Sequence, residues 1–338
     1  GAAGRGRGDF GGKQPGSWVE AKCRIFAKAG VDGGIPSPSS DDPLSPVMYV
    51  DPGEDIQKAI DRAAATATVS GNGGRSGGVV LLRNGVHVLR KPIRMASGVV
   101  LRGESRERAR VSVDMHCRSN RSNRGSEKKG RNLDSKQQEQ QEGLGSSAAF
   151  EFGREVTRAG LEHLTVCYDG AHAGASPLDK PSFHSRYGHK CFVNNPHGQD
   201  DLYVCGVVIH GRQNWLDDCC VLRMGTNPIV LHAGSRHNTI RNVLVDRCYN
   251  KGAGGNGYFD VRGESNLIVN CTVRRIRHFV LQLQARYNVV FGNRFEVDVN
   301  FHQRDGGSNL IENNNISIPC WHSWGPFATG GGRDGHQP

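Results

Sequence analysis

No run in this chain is long and apolar enough to cross a bilayer, so no membrane partner is expected. The ten cysteines show no metal-ligand spacing such as C-x-x-C, and no zinc-type centre is expected from them. No nucleic-acid motif accompanies the net charge of +10. A basic surface can attract nucleic acid, a membrane or an anionic glycan. Neither a secretory leader nor an initiator Met opens the chain at Gly1, so a processed start and an extracellular, secreted location are inferred indirectly. Two readings of the cysteines stay open. Cys219, Cys248 and Cys271 suit stacked, buried thiols, whereas Cys167, Cys191, Cys205 and Cys320 suit disulfides in an oxidising compartment.

What the chain does contain is a phrase written five times. It has an Asn, an aliphatic residue two places on and an apolar residue seven places on. The copies start at Asn214, Asn238, Asn266, Asn288 and Asn309, at intervals of 24, 28, 22 and 21 residues. Their second positions are Leu216, Ile240, Ile268, Val290 and Ile311; their seventh are Val221, Val245, Val273, Phe295 and Ile316. Positions two and seven cannot share one face of a strand of period two, so the chain must bend between them. Stacked copies would bury their apolar faces on each other as the coils of a solenoid. The fourth position is polar in Asp218, Asn242, Asn270 and Asn313, with Gly292-Asn293 covering the remaining copy, as a bend tolerant of left-handed backbone requires. Leu161, His163 and Val166 extend the pattern backwards.

Composition divides the rest. Residues 1–46, with Gly-Arg-Gly repeats and Pro36, Pro38, Pro43 and Pro46, read as a loose N-terminal segment, although Trp18 to Ala29 could form a short amphipathic helix. Residues 47–330 form the solenoid domain, interrupted by a disordered insertion at about 117–147 and a long loop at about 168–204. Residues 331–338 are a tail. Positive charge concentrates between Arg102 and Lys136, where eleven Lys and Arg face five Asp and Glu.

Counting back from each Asn gives a candidate wall. Six residues before Asn238, Asn266 and Asn288 stand His232, Asp260 and Gln282, and seven before Asn309 stands His302. Two places after these come Gly234, Arg262, Gln284 and Arg304, on the same strand face, so two adjacent polar columns are expected on one outer wall. Arg277, His278 and Tyr258 lie at the start of the same strands, beside the glycine-rich stretch 252–255.

The stretch Asp55-Ile56-Gln57-Lys58-Ala59-Ile60-Asp61-Arg62-Ala63, followed by Gly77-Gly78-Val79-Val80-Leu81-Leu82, Asn84-Gly85 and Ser97-Gly98-Val99-Val100-Leu101-Arg102-Gly103, resembles the opening module of the pectin-lyase-like superfamily. The resemblance covers roughly residues 47 to 318. It implies an all-β fold, a right-handed single-stranded parallel β-helix closed by an N-terminal capping helix. It leaves the reaction open, because the superfamily holds lyases, hydrolases, esterases, epimerases and adhesins. Trp215-Leu216-Asp217-Asp218-Cys219 resembles the W-I-D-H-C element of calcium-dependent pectate lyases, with Asp218 where that family has His; the R-x-P-x-x-R motif of those enzymes does not occur. The G-H-G element of polygalacturonase-type hydrolases and the Ser and Q-D motifs of esterases are also missing.

These residues suit β-elimination on an acidic polysaccharide. That reaction needs a neutralised uronate carboxylate, a base for the proton alpha to it and an acid for the leaving oxygen. Arg262 and Arg304 are expected to clamp the carboxylate, with His278 and His302 as base and acid. Tyr258, Asp260, Gln282, Gln284, His232, Arg277 and Trp215 are expected to contact the sugar. No cofactor is required, or else Ca²⁺ neutralises the substrate with Asp260 and Asp298 as the nearest ligands. The alternatives are a glycoside hydrolase using Asp217, Asp218 and Asp260, and a non-catalytic glycan-binding β-helix. In each case the acting unit is expected to be a monomer.

Overall fold

The computed structural model describes residues 23–36, 47–66, 68–69, 75–76, 78–115, 147–168, 182–184, 189–191, 203–249, 251, 255–302, 305–319 and 325–330. The expected insertion, most of the long loop and the tail lie outside these residues. Within the long loop, Ser182–His184 pairs antiparallel with His189–Cys191.

Each coil contributes one strand to each of three parallel sheets. One coil runs through Trp215–Asp217, Cys220–Met224 and Ile229–Leu231; the next through Thr239–Arg241, Leu244–Cys248 and Tyr258–Val261; the next through Leu267–Val269, Thr272–Arg274 and His278–Gln282. Among the described residues the first sheet has nine strands and the second and third have eight each, every neighbour arriving from the next coil. Parallel crossovers of this kind take a right-handed path. The chain is therefore a three-sheet parallel β-helix.

The phrase starting at Asn fixes the register. Leu216, Ile240, Ile268, Val290 and Ile311 pair in succession along the first sheet. Val221, Val245, Val273, Phe295 and Ile316 do the same along the second. In the third sheet Phe259 stacks on Phe279 with ring centroids 5.0 Å apart. Each fully buried aliphatic or aromatic residue in these stacks contributes about 1.5–3 kcal/mol relative to exposure.

The Asn starts form a buried ladder. The backbone N–H and side-chain amide of Asn238 both donate to Asn266 Oδ1, at 3.0 and 2.9 Å, and those of Asn266 donate to Asn288 Oδ1 at 3.0 and 3.1 Å. A turn that would leave backbone donors orphaned is thus satisfied by the coil above. The bend residues His163, Asp218, Asn242, Asn270 and Asn313 all have φ between 50° and 56°, the left-handed region that short polar side chains tolerate. Cys219 and Cys271 sit buried just after that bend as thiols, each donating to a carbonyl of its own or a neighbouring coil. Burial raises both thiol pKa values, that of Cys271 to about 12.

Helix α1, Ile56–Ala65, closes the N-terminal mouth. Asp55 caps it by accepting from the Lys58 backbone N–H at 3.1 Å, and Ile56, Ile60 and Ala63 are buried against the first coil. Ahead of it, residues 23–26 are helical. Part of the segment expected to be loose docks across the first sheet. The Gly30, Val31 and Asp32 N–H groups donate to Ser265 O, Thr239 Oγ1 and Gln213 Oε1 at 2.9, 2.9 and 2.7 Å. A side chain at Gly30 would meet Thr239 Oγ1 at 2.7 Å, so the crossing requires glycine.

Candidate active site

The third sheet carries the candidate residues on its outer face. Inward-facing Leu231, Val261, Leu281 and Phe301 pair in succession, which sets the outward columns on either side of them. One column is His210, His232, Arg262, Gln282 and His302; the one before it runs through Val230, Asp260, Val280 and Asn300; at the strand starts stand Tyr258 and His278, with Asp298 level with them on the next coil.

This differs from the columns expected from the sequence. His232 and Gln282 stand level with Arg262, not Asp260. Seven positions separate Leu231 from Asn238 and Leu281 from Asn288, but five separate Val261 from Asn266. The shorter turn moves the register by one outward residue, so Asp260 falls in the Val230 column. Gln284 lies beyond the strand end with φ 79° and is exposed. Arg304 and the glycines at 252–254 lie outside the described residues. Trp215 belongs to the first sheet and is buried, its Nε1–H donating to Glu162 Oε1 at 2.7 Å; it is not part of this face.

The face is a buried polar layer with a partly exposed rim. His278 Nδ1 lies 2.7 Å from Asp298 Oδ1. Because a carboxylate only accepts, Nδ1 carries the proton. Asp298 Oδ2 accepts from Asn300 Nδ2 at 3.0 Å. Asp260 is held by both Nε and Nη2 of Arg262 at 2.9 and 2.6 Å on Oδ2, and by Gln282 Nε2 at 2.9 Å on Oδ1. The expectation of an exposed His278 is corrected here: it is only 2% exposed, because the Asp298 contact and the Tyr258 ring, 5.1 Å away, enclose it. His302 lies on the same face, its ring 6.2 Å from that of Tyr258, and Arg277 lies 5.7 Å over the Tyr258 ring.

Burial first, and then the neighbouring His278, push the His302 pKa down to about 4. Burial and the adjacent His232, whose ring is 4.4 Å away, push His210 down to about 4 as well. Burial and Arg262 lower His232. The row is therefore neutral imidazole at neutral pH. Three polar atoms beneath it, Gln282 Oε1, Asn300 Oδ1 and His302 Nδ1, are buried without a hydrogen-bond partner. Buried polar groups are rarely left so, and these atoms, with His210 Nδ1 of the same column, would be completed by water or by a polar ligand.

Asp260 and Asp298 do not fit a Ca²⁺ site. All four of their oxygens already accept from side-chain donors, one of them a guanidinium, while Ca²⁺ needs six or more oxygen ligands. The carboxylates offered for hydrolysis are not brought together either. Asp217 faces out from the first sheet, bound by Arg241 Nε at 2.9 Å and Asn242 Nδ2 at 3.1 Å, and Asp218 turns into the adjoining corner, where it meets His163 and Arg106 at 2.8 and 2.7 Å. Sequence reasoning missed Glu162, held by Arg102 and Trp215 in register with Asp217, and Asn300, whose column shows only once the short turn is known.

No protein-family model and no curated protein matches the chain. Solved structures similar to it include a pectin methylesterase in complex with a hexasaccharide (15% identity, TM-score 0.37, covering 78% of this chain and 65% of that one). Escherichia coli YbhC matches at 14% identity and TM-score 0.46, covering 83% and 74%. DFA-IIIase from Arthrobacter chlorophenolicus A6 matches at 12% and 0.45, covering 77% and 64%. The chain thus spans less than two thirds of the length of the first and the last.

Proposed function

We propose that the chain is a carbohydrate-active enzyme that cleaves an anionic polysaccharide by β-elimination on the outer face of its third sheet. The observation that carries this reading is the buried His278–Asp298 pair beside a neutral His302 whose Nδ1 has no partner. Elimination needs one group to take a proton and one to give it, and two imidazoles in different electrostatic settings suit the two roles.

In this reading His302 takes the proton alpha to the uronate carboxylate, the electron pair forms the new double bond, and the glycosidic oxygen leaves with a proton from Nε2 of a His278 imidazolium held by Asp298, or from the Tyr258 phenol. A bound carboxylate beside His302 would raise its depressed pKa and strengthen it as a base when substrate arrives. Arg262 is committed to Asp260 and so positions that carboxylate instead of clamping the substrate. Neutralisation passes to Arg277, with Arg304 of the following coil as its partner in the proposal. A guanidinium can do this without Ca²⁺, because its charge does not titrate away. All these groups come from one chain, so the reading needs no second subunit, and such a substrate suits an extracellular enzyme.

The test is to incubate the protein with alginate, pectate, glucuronan and sulfated glycans and to follow both ultraviolet absorbance and reducing ends. Elimination gives both signals, from the conjugated unsaturated end and the new reducing end. Reducing ends without absorbance would mean hydrolysis. Binding with neither signal would leave a non-catalytic glycan-binding solenoid.

A further inference from the structure

Two histidines stand together on the third sheet, on coils that the proposed chemistry does not use. Ile209 pairs with Leu231 and the His232 N–H donates to Ile209 O at 2.9 Å, so His210 and His232 follow level with each other on adjacent coils and point outward on one face. Their ring centroids are 4.4 Å apart and the rings are inclined at 40°. In His232 the Nδ1 atom lies 3.3 Å from Ala233 O, which holds the proton there and leaves Nε2 as the nitrogen with a lone pair. In His210 the Nδ1 atom is buried although the side chain is 21% exposed, so Nε2 is the open nitrogen; it lies 4.0 Å from Glu151 Oε1, too far for a hydrogen bond. Two imidazole nitrogens therefore stand on one face without a hydrogen-bond partner among the described residues.

The setting suits a cation. Around the pair lie Arg154 and Arg262 with Glu151, Glu155 and Asp260, two guanidinium groups against three carboxylates, and Arg262 is already held by Asp260. Burial keeps both rings in the neutral form, which is the form that ligates a metal. Among the described residues no three His, Cys, Asp or Glu side chains converge, so a closed zinc-type cage is not offered. Ring separation then decides which ion two imidazoles prefer. With a metal–nitrogen bond of about 2.0–2.1 Å and the ring centre roughly 1.1 Å beyond the nitrogen, two rings on one ion stand roughly 4.5 Å apart at a right angle and roughly 5.1 Å apart at the tetrahedral angle. The observed 4.4 Å matches the right angle. Right-angled nitrogen ligands suit square-planar or tetragonal ions, of which Cu²⁺ binds most tightly and Ni²⁺ next.

We propose that His210 and His232 form a two-imidazole site for a divalent transition metal of square-planar preference, Cu²⁺ above Ni²⁺, with its remaining positions open to water or a small ligand. The site shares its outer column with His302, with Arg262 and Gln282 between them. It uses neither Asp260 nor Asp298, so it is distinct from the Ca²⁺ site expected from the sequence. It also stands apart from the elimination reading and does not depend on it.

The experiment is calorimetric titration of the intact chain, freed of metal with a chelator, with copper(II), nickel(II), zinc(II) and calcium salts, beside electron paramagnetic resonance of the copper complex. A single tight Cu²⁺ equivalent is expected, with Ni²⁺ weaker by about tenfold or more and no heat from Ca²⁺. The copper spectrum should carry the hyperfine pattern of two nitrogens. His210→Gln and His232→Gln should each weaken copper binding by about tenfold or more, and the double variant should lose the tight equivalent. His163→Gln, in the bend between the first and second sheets, should leave it unchanged. Thermal melts check that each variant folds. A folded double variant that still binds Cu²⁺ with the original affinity would overturn the site. So would a spectrum of the unaltered chain showing one nitrogen or none, a result that needs no variant. Zn²⁺ bound as tightly as Cu²⁺ would overturn the right-angle geometry and with it the choice of ion.

Discussion

At the scale of single residues, the two histidines differ in what their loss should do. His302 sits at the partly exposed rim, and His302→Ala is expected to lower kcat about 10²–10⁴-fold while shifting stability by about 1 kcal/mol or less. Steady-state kinetics beside a thermal melt would check this, and full activity would remove His302 from the chemistry. His278→Ala should also be inactive, but it leaves the Asp298 carboxylate buried without its imidazole, at a cost of about 3 kcal/mol. His278→Asn would separate the two effects if its amide holds Asp298. Acid should find the same face. With His302 and His210 near 4 in the folded chain and near 6.5 unfolded, the unfolded state binds more protons between those values. Their contribution is therefore complete above about pH 6.5 and lost as pH falls towards 4. Denaturant titrations across this window should show a fall of about 2 kcal/mol after allowance for partial exposure, and a flat profile would mean that these imidazoles are not shielded.

At the scale of elements, the ladder is what makes one coil need the next. Asn266→Ala removes the acceptor for two donors of Asn238 and the side-chain donor to Asn288, in a fully buried site. A loss of about 2–4 kcal/mol is expected by chemical denaturation; a change within about 0.5 kcal/mol would show that the ladder is incidental. Asn at the bend and aliphatics at positions two and seven were legible in the sequence because each obeys a local rule of spacing, and the capping helix followed from the family resemblance of residues 55–63. The wall was less legible. Counting from each Asn assumes turns of constant length, and the shorter turn between Val261 and Asn266 exchanged Asp260 for Arg262 in the column. Burial of His278 was hidden as well, since it depends on Asp298 from the following coil. Trp215 was misplaced because a sequence motif does not reveal which of three sheets its strand joins.

At the scale of the whole molecule, the solenoid should be least stable where its described residues are least buried. Ile60 of α1 is fully buried on the first coil, whereas Leu310, Ile311 and Ile316 of the last phrase are only partly buried. Amide exchange is therefore expected to be fastest in Leu310–Glu312 and Asn315–Ile316 and slowest in the coils between Trp215 and Val273, and uniform protection along the axis would contradict a stack that frays from one end. The most direct test of the account is a crystal structure of the His302→Ala variant with a short uronate oligosaccharide. The sugar is predicted to lie over the third sheet, with a carboxylate at Arg277 and hydroxyls completing Gln282 Oε1 and Asn300 Oδ1. A sugar bound over Glu162 and Asp217 on the first sheet would contradict it.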